Sequence, residues 1–207
     1  MHKEVIHFIT SMSIILLKYF NNSTVLDVGG GDINGNNRYV FKNCDYSCND
    51  VIESANVTHV SRTKDLKFKD GSFDTIISTE CFEHDPEYID SFFKIYKLLK
   101  PNGLFIFTCA STGRPEHGTR KCKPHQSYGT IEDIEDMRDY YKNLTIVDLN
   151  QVINSNNFIL YKSYYNSLSK DLYFVGIKRD CNNDSLINDI HINYAADNVT
   201  ETTNLII

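Results

Sequence analysis

The glycine-rich segment after the first apolar strand constrains the fold of this 207-residue chain more than any other feature. Thr24-Val25-Leu26-Asp27-Val28 predicts a short buried strand that runs straight into Gly29-Gly30-Gly31. Glycines at a strand end permit a tight turn and let a ligand approach bare backbone. We therefore expect an α/β fold with a ligand site at this turn. The alternative is a tight strand-to-helix turn that binds nothing.

Predicted strands and helices alternate along the rest of the chain. Apolar spacing predicts a helix over residues 3–20. Asp85-Pro86 predicts the start of a second helix, which continues to Leu99 and stops at Pro101-Asn102-Gly103. Two helical pieces are predicted within 131–156, around Glu132–Tyr141 and after Thr145. Further strands are predicted at 45–49, near 57–60, and at 73–78, 104–109, 158–163 and 172–177, the last two close enough in sequence to pair antiparallel.

This alternation predicts a mostly parallel sheet with helices on both faces. One domain is expected over residues 1–180, followed by a polar, Asn-rich and poorly ordered tail at 181–207.

The net charge and the cysteine pattern limit which substrates and which cellular compartment the sequence favours. The net charge of -6 argues against a nucleic-acid substrate, and the one basic patch that could override it is Arg114, Arg120, Lys121 and Lys123. The six cysteines form no C-x-x-C pair, which favours reduced thiols and a cytoplasmic protein. The apolar run Ile14-Ile15-Leu16-Leu17 is too short to span a membrane.

An acidic residue at the end of the second predicted strand extends the ligand hypothesis. Asp50 can accept hydrogen bonds from both hydroxyls of an adenosine ribose, as such acids do in nucleotide-binding folds. Asp45 competes for this role because the strand boundary is uncertain by a few residues. Up to this point a nicotinamide-dependent oxidoreductase fits nearly as well.

Three blocks further along the chain separate these possibilities. Residues 65–78, with Asp70-Gly71-Ser72-Phe73-Asp74, resemble the pattern L-P-F-x-D-G-S-F-D-x-V, and Glu80-Cys81-Phe82-Glu83-His84 follows. Residues 98–104 resemble L-K-P-G-G-x-L. With the glycine turn before them, residues 23–110 resemble class I S-adenosylmethionine-dependent methyltransferases, in particular the broad small-molecule and glycan group. The resemblance implies a Rossmann-like sheet of seven strands, one of them antiparallel.

The resemblance also implies that S-adenosylmethionine is the cofactor. Asp27, Gly29 and Gly31 would line its methionine part, and Asp50 would hold the ribose. The family often has an acid for adenine near the third strand, but this region reads Ser61-Arg62-Thr63-Lys64-Asp65, which leaves backbone groups or Asp65. The full predicted cofactor set is Asp27, Gly29, Gly31, Asn34, Asp50, Asp65, Ser78, Thr79 and Glu80, with Asn34 standing where many relatives have a smaller residue.

Methyl transfer to a hydroxyl needs alignment and a proton acceptor, for which His is best suited near neutral pH. His117 and His84 are the predicted catalytic residues, although the Glu83-His84 pair can instead be structural. The polar loop 110–130 is predicted to contact the acceptor through Arg114, Glu116 and His125, unless its charges pair with one another. No metal is predicted, because Glu132, Asp133, Glu135 and Asp136 spread around a helix.

The sequence therefore predicts a methyltransferase acting on a hydroxyl of a small polar acceptor or glycan. A nicotinamide-dependent oxidoreductase would not explain Phe73-Asp74 or the Lys100–Gly103 block. A non-catalytic methyltransferase-fold partner subunit is the second alternative. Whether loop 110–130 closes over a pocket beside the cofactor discriminates this alternative from an enzyme.

Overall fold

Seven strands join in one sheet in the computed structural model, which describes residues 2–180. Their spatial order is β3-β2-β1-β4-β5-β7-β6. Strand β7 runs antiparallel to both of its neighbours, β5 and β6, and every other strand pair is parallel, so the predicted mostly parallel sheet with one antiparallel strand is confirmed. The strands are β1 Thr24–Val28, β2 Asp45–Asp50, β3 His59–Val60, β4 Phe73–Thr79, β5 Leu99–Ala110, β6 Phe158–Asn166 and β7 Asp171–Lys178.

Helices cover both faces of the sheet, as predicted. They are α1 Lys3–Ile15, α2 Tyr88–Leu98, α3 Tyr128–Ile131 and α4 Ile146–Val152. Successive residues of β5 point to opposite faces. Ile106 packs in the core beneath α1, whereas Phe105 and Phe107 pack in the core beneath α2 and α4. The described part of the chain contains no helix long and apolar enough to cross a membrane.

The order of the central strands creates the place where a ligand can bind. The chain goes from β1 to β2 and β3 on one side, and then crosses back to form β4 on the other side of β1. In open α/β sheets, a crevice opens at such a switch, outside the carboxyl ends of the strands. Between β1 and β2, the only helical turn is a 3₁₀ turn at Arg38–Val40. The glycine turn is therefore followed by irregular chain.

The boundaries of α2 and β5 differ from the prediction. Helix α2 begins at Tyr88, although Asp85 still caps this region, since its Oδ1 accepts the Glu87 N–H at 2.8 Å. Strand β5 begins at Leu99, which pairs with Phe73, instead of at residue 104. Asn102, at φ 60°, lets the chain turn within the strand. The Pro101-Asn102-Gly103 block thus lies inside the irregular start of a strand and does not itself end the helix.

The prediction of a helix over Glu132–Tyr141 is wrong, and the prediction after Thr145 is confirmed. The α3 helix ends at Ile131, and Asp133 adopts φ 52°, which an α-helix does not tolerate. Helix α4 begins after Thr145, which forms a reciprocal capping box with Asp148. The predicted tail at 181–207 lies outside the described residues.

Candidate active site

A cleft of about 430 Å³ opens at the carboxyl ends of the central strands. One end is lined by the glycine turn, Asn34 and Asp50, and continues past the chain after β3. The other end is lined by residues that follow β4 and by parts of loop 110–130. The cleft therefore joins most of the sequence motifs that follow β1, β2 and β4.

The glycines of the turn are required by close packing. Gly29 has φ 64°, and a Cβ placed on it would lie 2.1 Å from the Cys81 Sγ. A Cβ on Gly31 would lie 2.3 Å from the Tyr128 ring and 2.6 Å from the Asp50 carboxylate. These distances are shorter than van der Waals contact, so any larger residue would displace the cleft wall.

Asp27 lies beneath the turn and does not line the cleft. Its side chain is fully buried, where it accepts hydrogen bonds from the Tyr46 hydroxyl and from the Asn37 Nδ2 at 3.2 Å. Burial raises the pKa of Asp27 to about 6, although both hydrogen bonds lower it. Asn37 does line the cleft and also donates to the Thr79 Oγ1 at 3.0 Å. Asp27 thus supports the wall through Asn37, a residue that the sequence analysis missed.

Asp50 lines the cleft at the end of β2. Its Oδ2 accepts the Gly31 N–H at 3.0 Å, and its Oδ1 accepts the Val51 N–H at 2.7 Å. Burial raises the pKa of Asp50, and the two backbone hydrogen bonds oppose that rise. Asp45, the competing acid, is exposed at the opposite end of β2. Of the two acids, Asp50 is the one that the fold brings to the glycine turn.

The chain after β3 reaches the cleft through Ser61, Arg62 and Thr63. Asp65 is not brought there: its side chain is half exposed and lies 3.6 Å from Lys64 Nζ. The Arg62 guanidinium is held by Asp136 at 2.6 and 2.7 Å and by Glu87 at 2.8 Å. Arg62 therefore ties the 128–137 segment to the part of the cleft wall formed by residues 61–63.

At the end of β4, Ser78 supports the sheet, whereas Thr79 and the following Glu80 line the cleft. Ser78 is buried and donates to the Val28 carbonyl at 2.9 Å, which joins β4 to β1 outside the cleft. Thr79 and Glu80 line the cleft. The Glu80 Oε1 accepts a hydrogen bond from Thr108 at 2.9 Å.

The end of the cleft lined by His84 and loop 110–130 is here called the acceptor end, because the sequence predicts acceptor contacts there. An ionic cluster that the sequence did not reveal borders this end. His2 Nε2 lies 2.8 Å from Asp171 Oδ2 and 3.3 Å from Glu80 Oε2. Arg114 lies 3.5 Å from Asp171 and 3.6 Å from Glu80. Burial lowers the pKa of His2, but hydrogen bonds with Asp171 and Glu80 outweigh it and raise the value to about 10. His2 is therefore a cation at neutral pH and fastens the start of α1 to the cleft rim.

His84 and His117 meet at the acceptor end, with ring centroids 5.0 Å apart and planes nearly perpendicular. Both side chains line the cleft. Burial lowers the pKa of His84 to about 3 and also lowers the pKa of His117, so both rings are neutral at pH 7. The His117 Nδ1 lies 3.0 Å from the Pro115 carbonyl oxygen, which can only accept, so Nδ1 carries the proton and Nε2 has a free lone pair.

Some of the other residues of loop 110–130 are exposed on the surface, and others line the cleft. Glu116 and His125 are exposed and do not line the cleft, and Glu116 accepts a hydrogen bond from Thr119 at 2.6 Å. Gln126, Ser127 and Tyr128, which the sequence analysis did not single out, line it instead. The loop therefore forms part of the cleft wall.

Comparisons with known proteins agree with this geometry. Residues 15–107 match the family model described as a methyltransferase domain. A Burkholderia thailandensis 1,6-didemethyltoxoflavin-N1-methyltransferase with bound S-adenosylhomocysteine has a TM-score of 0.56 at 16% identity, covering 83% of this chain and 77% of that chain. Haemonchus contortus phosphoethanolamine N-methyltransferase 2, also with S-adenosylhomocysteine, has a TM-score of 0.55 at 18% identity, covering 82% and 52%.

A curated relative matches over a shorter stretch. Caenorhabditis elegans phosphoethanolamine N-methyltransferase 2 is 37% identical over 54 residues, which are 26% of this chain and 12% of that protein. The match thus spans only a small part of the relative's length. The solved structures share the fold of this chain, and the acceptors of these proteins are their own.

Proposed function

We propose that this chain is a class I S-adenosylmethionine-dependent methyltransferase that transfers a methyl group from S-adenosylmethionine to a hydroxyl of a small polar acceptor or glycan. The match of residues 15–107 to a methyltransferase domain and the fold shared with solved methyltransferases support this proposal. One observation carries the proposal. A single cleft joins the glycine turn and Asp50 to an acceptor end where the neutral rings of His84 and His117 meet. Cofactor and acceptor can therefore lie end to end, as direct methyl transfer requires.

The cofactor would occupy the end of the cleft at the glycine turn. Backbone at Gly29–Gly31 and the side chain of Asn37 would face its methionine part. The Asp50 oxygens each accept one backbone N–H, which leaves further lone pairs for the ribose hydroxyls. Adenine would lie against Ser61–Thr63.

The reaction is an in-line displacement. The acceptor oxygen attacks the methyl carbon, the carbon–sulfur bond breaks, and its electron pair neutralises the sulfonium. The acceptor's proton leaves to a base. The protein chiefly aligns the two reactants. The free Nε2 lone pair of His117 is the candidate proton acceptor, with His84 beside it.

The charges near the cleft support a small polar acceptor over nucleic acid. Two members of the predicted basic patch are neutralised, because Arg114 pairs with Glu80 and Arg120 forms two hydrogen bonds with Asp139 near 3.0 Å. Lys121 and Lys123 remain exposed, and two cations alone offer little binding to a phosphate backbone. The five described cysteines are free thiols, which supports the proposal of a reducing, cytoplasmic compartment.

The test has two steps. Calorimetric titrations with S-adenosylmethionine, S-adenosylhomocysteine and NADH should show saturable binding of the two sulfur nucleotides alone. Release of S-adenosylhomocysteine is then measured with a panel of saccharides as acceptors. Phosphoethanolamine, the acceptor named for two similar proteins, is tested in parallel as an amine acceptor. Turnover of saccharides supports the proposal. Turnover of only phosphoethanolamine, protein, RNA or lipid overturns the acceptor class, and NADH binding alone overturns the reaction.

A further inference from the structure

The side chains of Glu83, His84 and His117 converge at the acceptor end, where the two histidines line the cleft and Glu83 is fully buried behind them. One carboxylate oxygen and one nitrogen from each imidazole all lie within 4.8 Å of one another. Two ligand atoms bound to one ion at about 2.1 Å lie at most about 4.2 Å apart. Small rotations of these side chains would therefore bring all three atoms onto a common centre.

Within residues 2–180, the polar atoms of the two buried side chains have no side-chain hydrogen-bond partner. Both Glu83 carboxylate oxygens lack a hydrogen bond, and so does the His84 Nδ1. Glu83 is 0% exposed and His84 is 8% exposed. A buried polar group without a partner costs about 1–3 kcal/mol, and a charged one costs more. Three such atoms at one point indicate that a ligand completes them.

The third member is oriented as a metal ligand is. Metal-binding histidines usually donate the other ring N–H to a carbonyl or carboxylate, which fixes the tautomer and aims the lone pair. His117 does so through Nδ1 to the Pro115 carbonyl at 3.0 Å, so its Nε2 is the free nitrogen. Close approach by Gly118, where a Cβ would lie 2.6 Å from the His84 ring, helps to hold His84 beside it.

We propose that Glu83, His84 and His117 bind one divalent transition-metal cation at the acceptor end of the cleft. Two imidazoles and one carboxylate suit zinc, iron(II) or manganese(II) better than magnesium, which prefers oxygen ligands. Three protein ligands leave coordination positions open, which is the mark of catalytic sites. His84 and His117 line the cleft, so the open positions face the acceptor.

The cation site stands on the geometry of the cluster, and its role in catalysis rests on the proposed function. A cation here would bind an acceptor oxygen and lower the pKa of that hydroxyl. His117 would then serve as a ligand, and its Nε2 would not be a free base. Glu80 is already paired with His2 and Arg114, so it adds no separate ligand to this set.

The test measures metal binding directly, without cofactor or acceptor. The full chain is treated with a chelator, dialysed and titrated with Mn²⁺ while free Mn²⁺ is followed by electron paramagnetic resonance. Zn²⁺ and Mg²⁺ are titrated calorimetrically. Glu83→Gln keeps the side-chain shape, and His117→Asn changes a half-buried ring. His125→Asn removes an exposed imidazole of the same loop and is the control.

We expect one equivalent of Mn²⁺ and of Zn²⁺ per chain, weaker binding of Mg²⁺, and at least tenfold weaker Mn²⁺ binding in Glu83→Gln and His117→Asn. Binding by His125→Asn should match the parent chain. Absence of saturable binding, or parent-like binding in both cluster variants, overturns the site. Thermal unfolding with Zn²⁺ gives a second readout: the metal should raise the Tm of the parent chain but not that of His117→Asn. Because these readouts need no acceptor, failure of the proposed acceptor class leaves them unaffected.

Discussion

Replacing Asp50 by Asn should weaken cofactor binding while leaving the fold in place. The two Asp50 oxygens each accept one backbone N–H, from Gly31 and Val51. An Asn side chain offers one oxygen, so its amide nitrogen would face one of these donors. It also removes the charge that strengthens hydrogen bonds from two ribose hydroxyls, a difference of about 1 kcal/mol for each bond. The loss is about 2 kcal/mol, which is about a 30-fold rise in Kd.

The assay is calorimetric titration with S-adenosylhomocysteine at pH 7.5, with Tm measured in parallel. Asp65→Asn is the matched control, because Asp65 is the other candidate acid of the cofactor set but is half exposed and outside the cleft. Its Kd should stay within twofold of the parent value. A folded Asp50→Asn variant with parent-like Kd would refute the ribose assignment. An Asp65→Asn variant that weakens binding as much as Asp50→Asn would show that the adenine side is built differently.

Three further predictions follow from the same structure. Gly31→Ala should weaken S-adenosylhomocysteine binding at least tenfold in calorimetry, because its Cβ would lie 2.3 Å from the Tyr128 ring; an unchanged Kd would contradict this packing. Asp27 has a pKa of about 6 when folded and about 3.8 when unfolded, so stability falls as pH rises through this window. Asp27→Asn should remove this loss of stability, which amounts to at most about 3 kcal/mol. The free energy of unfolding in urea should therefore rise in the variant relative to the parent chain between pH 4 and 7. A difference between the two that stays constant with pH would refute this. His2→Gln should lower stability at pH 6.5 but not at pH 10.5, because the contribution of His2 is complete below about 6.5 and is lost as pH rises through about 10; an equal loss at both pH values would exclude the ionic role.

The sequence was sufficient for the parts of the fold that depend on local patterns. Apolar runs predicted the strands of the sheet, and a helix was predicted after Thr145, where the structure shows a capping box with Asp148. Local patterns failed where a distant partner decides the conformation. The segment after α3 was predicted as a helix, but Asp136 binds Arg62, 74 residues earlier in the chain, and Asp133 turns the chain. No spacing rule within residues 131–141 contains that information.

The site shows the same division. Gly31 and Asp50 could be placed because a strand end and a glycine turn fix where their backbone lies. Asp27 and Ser78 also lie near strand ends, but neither lines the cleft. Asp27 accepts a hydrogen bond from the Tyr46 hydroxyl, and Ser78 donates one to the Val28 carbonyl. Which side of a strand end a residue faces depends on register, and a shift of one residue reverses it. Strand boundaries read from sequence are not accurate enough to decide this.

Charge pairing at the acceptor end limits which groups can recognise the acceptor. Glu80, Arg114 and Asp171 come from separate segments, and with His2 they neutralise one another. An acceptor that used these charges would have to break ion pairs that are largely shielded from water, which costs more than the new contacts return. Recognition must therefore fall to the groups that this cluster leaves uncommitted. Those groups are the rings of His84, His117 and Tyr128, which line the cleft and suit an uncharged acceptor rich in oxygen atoms. Glu83 is fully buried and would act on the acceptor only through a bound cation.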